Sequence, residues 1–442
     1  MSGVFKSYDI RGIYGKELTL PLVEKIGYAF VEFLKAKKVV VGRDMRSHSG
    51  DVFEALARGI NLAGCDVIDI GLCSTPISYF ANGFLEADGS IMITASHNTG
   101  EWNGLKICRE NAIPISGATG IADIEKRVKN LDILKKTDFT GKIVHRNLSF
   151  EYGEHIKKYS AVNKKLKIVT DFANSMGSYE IAGIRELFDI VPMYEELDGN
   201  FPNHEANPLK TETLEELCKK VKEVGADFGA GFDGDADRCG FVDDEGNVIS
   251  MDLFTAILAQ DVLSTEQGAV ILYDLRSSKA VKECIEQNGG KAVMCRVGHA
   301  FIKAQMRECG AIFAGELSGH YYFKENYTAE SQALAMLRFA NIICKTGKSS
   351  SELLKPLRKY FGSGEINSHV SDSSKILKKI KDKYASGNSY ELDGLTVEYD
   401  DWWFNVRSSN TEPLLRLNVE ADTESKMLSK RDELLSIITD VT

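Results

Sequence analysis

Short apolar runs that stop at glycine-rich or polar turns recur through this chain, and no other feature restricts its fold as much. They include KVVVGRD, DVIDIGLCSTP, SIMITASHN, LKIVTDFANSMG, GADFGAGFDGDADR, AVILYDLRSS, KAVMCRVGHA and AIFAGELSGH. Runs of that length, bounded by turns, read as buried strands. Between them lie segments with helical spacing of apolar residues, for example SGDVFEALARGINLAG and KTETLEELCKKVKEVG. Strands alternating with helices build βαβ units and largely parallel sheets. In open sheets of that kind, ligands bind beyond the carboxyl ends of the strands. The most unusual polar clusters of this sequence sit at those ends.

At 442 residues the chain exceeds what one hydrophobic core sustains, so several domains are expected. The rhythm changes after Lys359, where LTVEYDDWWFNVRSSNTEPLLRLNVEAD reads as consecutive strands and ESKMLSKRDELLSIIT as a closing helix. Linker-like stretches at KTDFTGKIVHRNLS, DDEGNVIS and KYFGSGEINS divide the chain into α/β units at 1–145, 146–247 and 248–358 and a smaller α+β unit at 359–442. No internal repeat emerges from matching letters. The formal net charge of −10 argues against a nucleic-acid partner but permits a local basic pocket for an anionic substrate. Nine cysteines, none in a C-x-x-C pair, read as reduced thiols in the cytoplasm. No stretch approaches the ~18 apolar residues of a membrane span.

The segment GAGFDGDADRCG places Asp233, Asp235 and Asp237 at alternate positions, separated only by Gly234 and Ala236. If the three carboxylates converge, oxygens about 3 Å apart repel by roughly 5 kcal/mol per pair at an effective dielectric of about 20. Such a cluster must be spread into water, protonated or neutralised by a cation. Hard carboxylate oxygens favour Mg2+, or Mn2+, over zinc. A solvated acidic turn is the plain alternative, and the apolar lead-in and small spacers count against it. An EF-hand needs Gly at its sixth position and Glu at its twelfth; counting from Asp233, those hold Arg238 and Asp244. Haloacid-type phosphatases also use Asp-x-Asp, but a third Asp and a following Arg suit a cation cage beside an anion.

SIMITASHNTGEWNGLKI sets Ser96 just past an apolar strand, with His97, Asn98, Asn103, Gly104 and Lys106 close behind. Serine can carry a phosphoryl group, and a neighbouring cation offsets the charge that spreads onto the phosphoryl oxygens in transfer. Lys106 is a candidate proton donor or acceptor. To act as a base near pH 7 it needs positive neighbours or burial to lower its pKa from about 10.4. Read structurally, Ser96 is a helix cap and Asn98 a turn residue.

In chain order the sequence carries SYDIRG, TASHN, NGLKI, DGDADR, GELSGH and RSSNTEP. In this it resembles the α-D-phosphohexomutase superfamily over nearly its whole length, most closely the members acting on mannose and glucose phosphates. The resemblance implies three related α/β domains with mixed, largely parallel sheets, plus a smaller C-terminal α+β domain, each giving a loop to a central cleft. It implies an isomerase that interconverts 6-phospho and 1-phospho hexoses. Ser96 would carry the phosphoryl group, and Asp233, Asp235 and Asp237 would hold Mg2+, with the phosphate on Ser96 completing the site. Transfer to sugar would give a hexose 1,6-bisphosphate, which turns over within the cleft and also serves as activator.

By the same resemblance Arg11, His97 and Lys106 surround the transferring group, with Lys106 and Arg11 handling protons and stabilising charge. Tyr8 lines the cleft, and Arg238 contacts substrate or phosphoserine. Glu316 and Ser318 meet the sugar hydroxyls, with His320 close by; such polar partners reject analogues that leave them unpaired. Gly298 and His299 reach the cleft. Arg407, Ser409, Asn410 and Thr411 bind the distal phosphate, the guanidinium offering a planar fork of donors. Arg276 stands where the family commonly has lysine. Thr99 replaces a proline that usually follows SHN, which loosens the loop but keeps its chemical groups. Around Glu330 the sequence leaves the family pattern, and no role is assigned to it. Leu317 is closest to the Met of mannose/glucose-type enzymes and unlike the Gln of glucosamine-type ones. A phosphatase that releases the phosphate on Ser96 to water and a non-catalytic sugar-phosphate sensor are the rival readings.

Overall fold

The computed structural model describes residues 3–135, 140–408 and 414–439, which form four sheets. In the first, Gly89–Ile93, Lys38–Arg43, Asp66–Leu72 and Ile143–His145 run parallel. Trp102–Arg109 returns antiparallel beside Gly89–Ile93, and Ile10–Ile13 closes that edge. The second sheet runs Val248–Ile249, Cys239–Asp243, Phe228–Phe232, Lys167–Asp171, Asp189–Met193, so its edge strand lies past the expected limit at residue 247. The third runs Ala329–Glu330, Tyr321–Phe323, Phe313–Gly315, Val270–Asp274, Lys291–Cys295.

These three sheets share one plan. In each, a buried strand ends at a polar loop and turns back as an antiparallel neighbour: Gly89–Ile93 to Trp102–Arg109, Phe228–Phe232 to Cys239–Asp243, Phe313–Gly315 to Tyr321–Phe323. The three loops so formed carry Ser96, the aspartate trio and Glu316–His320. The repeat lies in topology, because a buried strand constrains residue class more than residue identity.

Period-two alternation sorts the strands onto two cores. Val40 and Met92 join a cluster shared by three units, with Ile168, Phe228 and Phe241 from the second and Phe254, Phe313 and Phe339 from the third. Val39, Val41, Ile91 and Ile93 face the opposite way, onto Val52, Leu56 and Ile60 of the helix Ser49–Leu62. Each buried Phe or Ile contributes about 1.5–3 kcal/mol. The predicted helix KTETLEELCKKVKEVG begins as a 3-10 turn, Thr211–Leu214, continues as Glu215–Val224 and ends at Gly225 with φ 59°. Glu180 sits in the seam of the shared core. Its carboxylate accepts from Ser74 Oγ at 2.6 Å, Tyr152 Oη at 2.8 Å and the Ala333 N–H at 2.9 Å. Burial pushes that carboxyl up to about 7.

The fourth sheet is antiparallel, Phe361–Gly362, Leu414–Ala421, Trp402–Ser408, Leu395–Glu398, Asn388–Tyr390, and Ile366–His369 also pairs with Leu414–Ala421. With helices Ser373–Lys383 and Glu424–Thr439 it encloses its own core of Trp402, Phe404, Leu415, Leu417 and Leu434. This is the α+β unit the sequence rhythm predicts. Among the described residues no helix is long and apolar enough to cross a membrane.

Candidate active site

Ser96 lies in the loop after Gly89–Ile93, is 3% exposed, and has φ 51°. A non-glycine residue holds that conformation only where its surroundings impose it. Here the Ser96 N–H donates to Thr94 Oγ1 at 2.9 Å, and the loop's carbonyls converge on Arg46. Arg46 Nη2 donates to the carbonyls of Ser96 at 2.8 Å and Asn98 at 2.7 Å, and Nη1 to those of Thr99 at 2.7 Å and Trp102 at 3.1 Å. Asp44, equally buried, orients the guanidinium by accepting from Nε at 3.0 Å. The carbonyl of Thr99 is therefore held by Arg46, and the exchange of proline for threonine leaves the loop anchored.

The trio follows Phe228–Phe232, and its carboxylates are buried, with one oxygen of each lying within 4.8 Å of the others. Ser96 Oγ donates to Asp233 Oδ2 at 2.8 Å. Arg238 closes the group: Nε donates to Asp233 Oδ2 at 3.1 Å, Nη2 to Ser96 Oγ at 2.8 Å, and Nη2 also meets His97 Nδ1. Thr75 Oγ1 donates to Asp235 Oδ2 at 2.6 Å, and Lys106 Nζ reaches Asp235 Oδ2 at 2.6 Å and Asp237. Asp235 Oδ1 and Asp237 Oδ1 are buried without a hydrogen-bond partner among the described residues. Buried carboxylate oxygens left over by the surrounding donors fit a hard divalent cation.

Burial, then the charges of Asp235 and Asp237, outweigh Arg238 and push Asp233 up to about 7. Burial alone would raise Asp237, but Lys106 and His320 hold it well below the usual carboxylate range. Burial, Arg238 and Arg11 press the His97 imidazole down to about 2, so it is neutral. Lys106, offered by the sequence as a proton donor or acceptor, stands among carboxylates. Burial would lower it, but Asp235, Asp237 and Asp233 hold its ammonium well above the ordinary lysine value, the opposite of what a base requires. Arg11 reaches the same loop, donating to Asn98 Oδ1 at 2.6 Å and pairing with Asp9.

The third loop adds a polar shelf. Glu316 Oε1 accepts from the Gly298 N–H at 3.1 Å and Oε2 from Tyr322 Oη at 2.9 Å. Ser318 Oγ lies 2.7 Å from His320 Nδ1, and His320 Nε2 lies 3.5 Å from Asp237 Oδ1, which ties this shelf to the trio. Burial opposes protonation of His320, but Asp237 and Glu316 raise it to about 9, so an imidazolium stands beside an ionised Glu316. Burial keeps His299 neutral, and its ring lies 5.6 Å from that of Tyr8. A Cβ on Gly298 would stand 3.1 Å from Tyr8 Oη, so Tyr8 and Gly298 share one wall. Arg276 is fixed by Asp274, with Nη2–Oδ2 at 2.6 Å, and Arg407 Nη2 donates to Glu365 Oε2 at 2.8 Å. Ser409, Asn410 and Thr411 lie outside the described residues.

Sequence reasoning missed Asp44, Arg46, Thr75 and Glu365. The RDMR stretch after a strand was a signal for Asp44 and Arg46; nothing local marks Thr75. Glu330, left without a role, is fully buried and 2.6 Å from Lys303 Nζ.

Four family profiles match in chain order: phosphoglucomutase/phosphomannomutase α/β/α domains I, II and III at residues 2–134, 150–246 and 250–360, and the C-terminal domain at 365–436. The chain belongs to the phosphoglucomutase/phosphomannomutase family. A phosphomannomutase of Methanocaldococcus jannaschii is 41% identical over 441 residues, covering 98% of this chain and 97% of that protein. One from Escherichia coli is 38% identical over 450 residues, covering 98% of each. A solved phosphoglucomutase/phosphomannomutase family protein from Burkholderia thailandensis superposes with a TM-score of 0.91 at 32% identity, covering 99% of this chain and 97% of that one. The four-unit architecture is thus that of the phosphoglucomutase/phosphomannomutase fold.

Proposed function

We propose that this phosphoglucomutase/phosphomannomutase family member is a phosphomannomutase, an isomerase interconverting mannose 6-phosphate and mannose 1-phosphate with Ser96 as phosphoryl carrier. One observation carries the reading: Ser96 Oγ bonds Asp233 at 2.8 Å inside a buried trio in which Asp235 keeps an oxygen without a partner among the described residues. Asp233, Asp235 and Asp237 would hold Mg2+, which when bound offsets negative charge on the phosphoryl oxygens.

The chain's own residues do the rest. A sugar hydroxyl oxygen bonds to phosphorus as the bond to Ser96 Oγ breaks, and the hydroxyl's proton passes to Oγ. Arg238 Nη2, 2.8 Å from Oγ, stabilises the departing oxygen. Lys106 acts here as a fixed positive charge. Glu316, Ser318 and His320 offer an acceptor, a hydroxyl and a donor to the sugar, with Tyr8, Gly298 and His299 opposite. Arg276 and Arg407, with Ser409, Asn410 and Thr411, would take the distal phosphate. The sugar then turns as its 1,6-bisphosphate, and the opposite phosphate returns to Ser96. Division into units near residues 145, 249 and 358 accords with this reading. All nine cysteines are unpaired, which supports a reducing compartment such as the cytoplasm.

The test is a side-by-side rate comparison on mannose, glucose and glucosamine 1-phosphates, with Mg2+ and a 1,6-bisphosphate primer. Mannose 1-phosphate should turn over fastest, without steady release of inorganic phosphate. No mutase activity on any of the three, or phosphate release matching substrate loss, would remove the reading.

A further inference from the structure

Glu365 precedes the strand Ile366–His369, on the stretch joining the third and fourth units. Its carboxylate gathers three guanidiniums. Arg407 Nη2 donates to it at 2.8 Å, and Arg276 Nη1 and Arg416 Nη1 lie at 3.4 and 3.5 Å. Arg276 comes from the third unit, the other two from the fourth. Among the described residues no other carboxylate touches all three. Burial would raise the Glu365 pKa, but the arginines outweigh it and hold the group ionised. The cluster is not saturated: Arg407 Nε and Arg416 Nε are buried with no hydrogen-bond partner among the described residues. Arg276 is also held by Asp274, so it is Arg407 and Arg416 that have Glu365 as their one carboxylate among the described residues, and they retain Nε donors for another anion.

Arg276 and Arg407 are the guanidiniums proposed to take the distal phosphate. Resting on that assignment, we infer that Glu365 is a tethered counter-anion of the distal-phosphate subsite. It occupies Arg407 when no phosphate is bound, yields that donor to an arriving phosphate, and takes it back when the phosphate leaves.

The chemistry of a bisphosphate intermediate gives this contact a purpose. To present its second phosphate to Ser96, the sugar must lift the first one off its arginines. Leaving buried guanidiniums bare is unfavourable. A carboxylate already on the spot covers them as the phosphate departs, which weakens ground-state binding and eases the turn. Interactions that hold the ground state too firmly slow the steps after it.

The test compares Glu365→Gln, which keeps the shape and removes the charge, with Glu365→Asp, which draws the charge back from Arg407. Calorimetry uses inorganic phosphate as the probe, followed by steady-state kinetics on mannose 1-phosphate. The Gln variant should bind phosphate about tenfold tighter, with KM and kcat both lowered, and the Asp variant should fall between it and the parent. Equal or weaker phosphate binding by a folded Gln variant overturns the inference, as does a raised KM with unchanged kcat. If the Gln variant does not fold, an Asp variant that binds phosphate no tighter than the parent overturns it alone. The phosphate probe needs no turnover. A parent protein without mutase activity would therefore defeat the functional reading, while the calorimetric comparison still decides the role of Glu365.

Discussion

A Cβ on Gly234 would stand 2.2 Å from the carbonyl oxygen of Ser96. The aspartate loop and the serine loop therefore meet backbone to backbone, and any side chain at position 234 drives them apart. Gly234→Ala should lower the mutase rate by about 100-fold, the scale that a misplacement of ~1 Å produces. Overpacking should reduce stability by only about 1–3 kcal/mol. Steady-state rates and a melting curve on the same sample check both; an unimpaired rate would mean that the two loops need not touch.

Arg238 joins Ser96, Asp233 and His97 through one planar head. Arg238→Lys keeps the charge but loses the fork, so kcat should fall by about 10²–10³, the range seen when a donor to a developing oxyanion is removed. KM should change little. A lysine variant with near-parental kcat would show that charge alone suffices.

Removing divalent ions with a chelator should abolish turnover, and Mg2+ should restore it. Mg2+ at about 100 times its Kd should raise stability by about 2.7 kcal/mol. Asp235→Asn should lose most of that gain, because the oxygen left unpartnered by the protein is then no longer anionic. Full activity in excess chelator would contradict the assignment of the trio.

Glu180 sets a stability dependence on pH. Its folded pKa of about 7 lies above the ordinary carboxylate value, so the folded state binds the proton more tightly than the unfolded one. The stabilisation is fully present below pH ~4.5 and is lost as pH rises through ~7, by about 3 kcal/mol at most. Melting temperatures between pH 5 and 8 should fall less for Glu180→Gln than for the parent. Parallel slopes would place the pH dependence elsewhere.

Much of this was legible in the letters. The small spacers Gly234 and Ala236 and an apolar lead-in marked Asp233, Asp235 and Asp237 as a candidate cation cage, and strand ends marked Ser96 and Glu316. What the letters did not hold is what depends on other units. The carboxylates around Lys106 were not legible because Asp235 and Asp237 lie more than a hundred residues away. Glu180 reads as an ordinary surface glutamate until Ser74, Tyr152 and Ala333 close over it. Arg46 was missed although RDMR carries it with Asp44, because its other partners are backbone carbonyls about fifty residues away. The three related sheets were implied by the resemblance but not by matching letters, because hydrogen-bonded order along a sheet is not written in residue identity.

Phe80, Phe228 and Phe339 belong to one apolar mass to which three units contribute, whereas Trp402, Phe404 and Leu434 form an interior of their own. None of the first three modules can be excised without stripping the others of their insulation. The C-terminal module keeps its own interior and meets the third through polar contacts such as Arg276–Glu365 and Lys279–Glu420, so the arginine proposed to grip the far end of the sugar sits on a scaffold whose packing owes nothing to the other three.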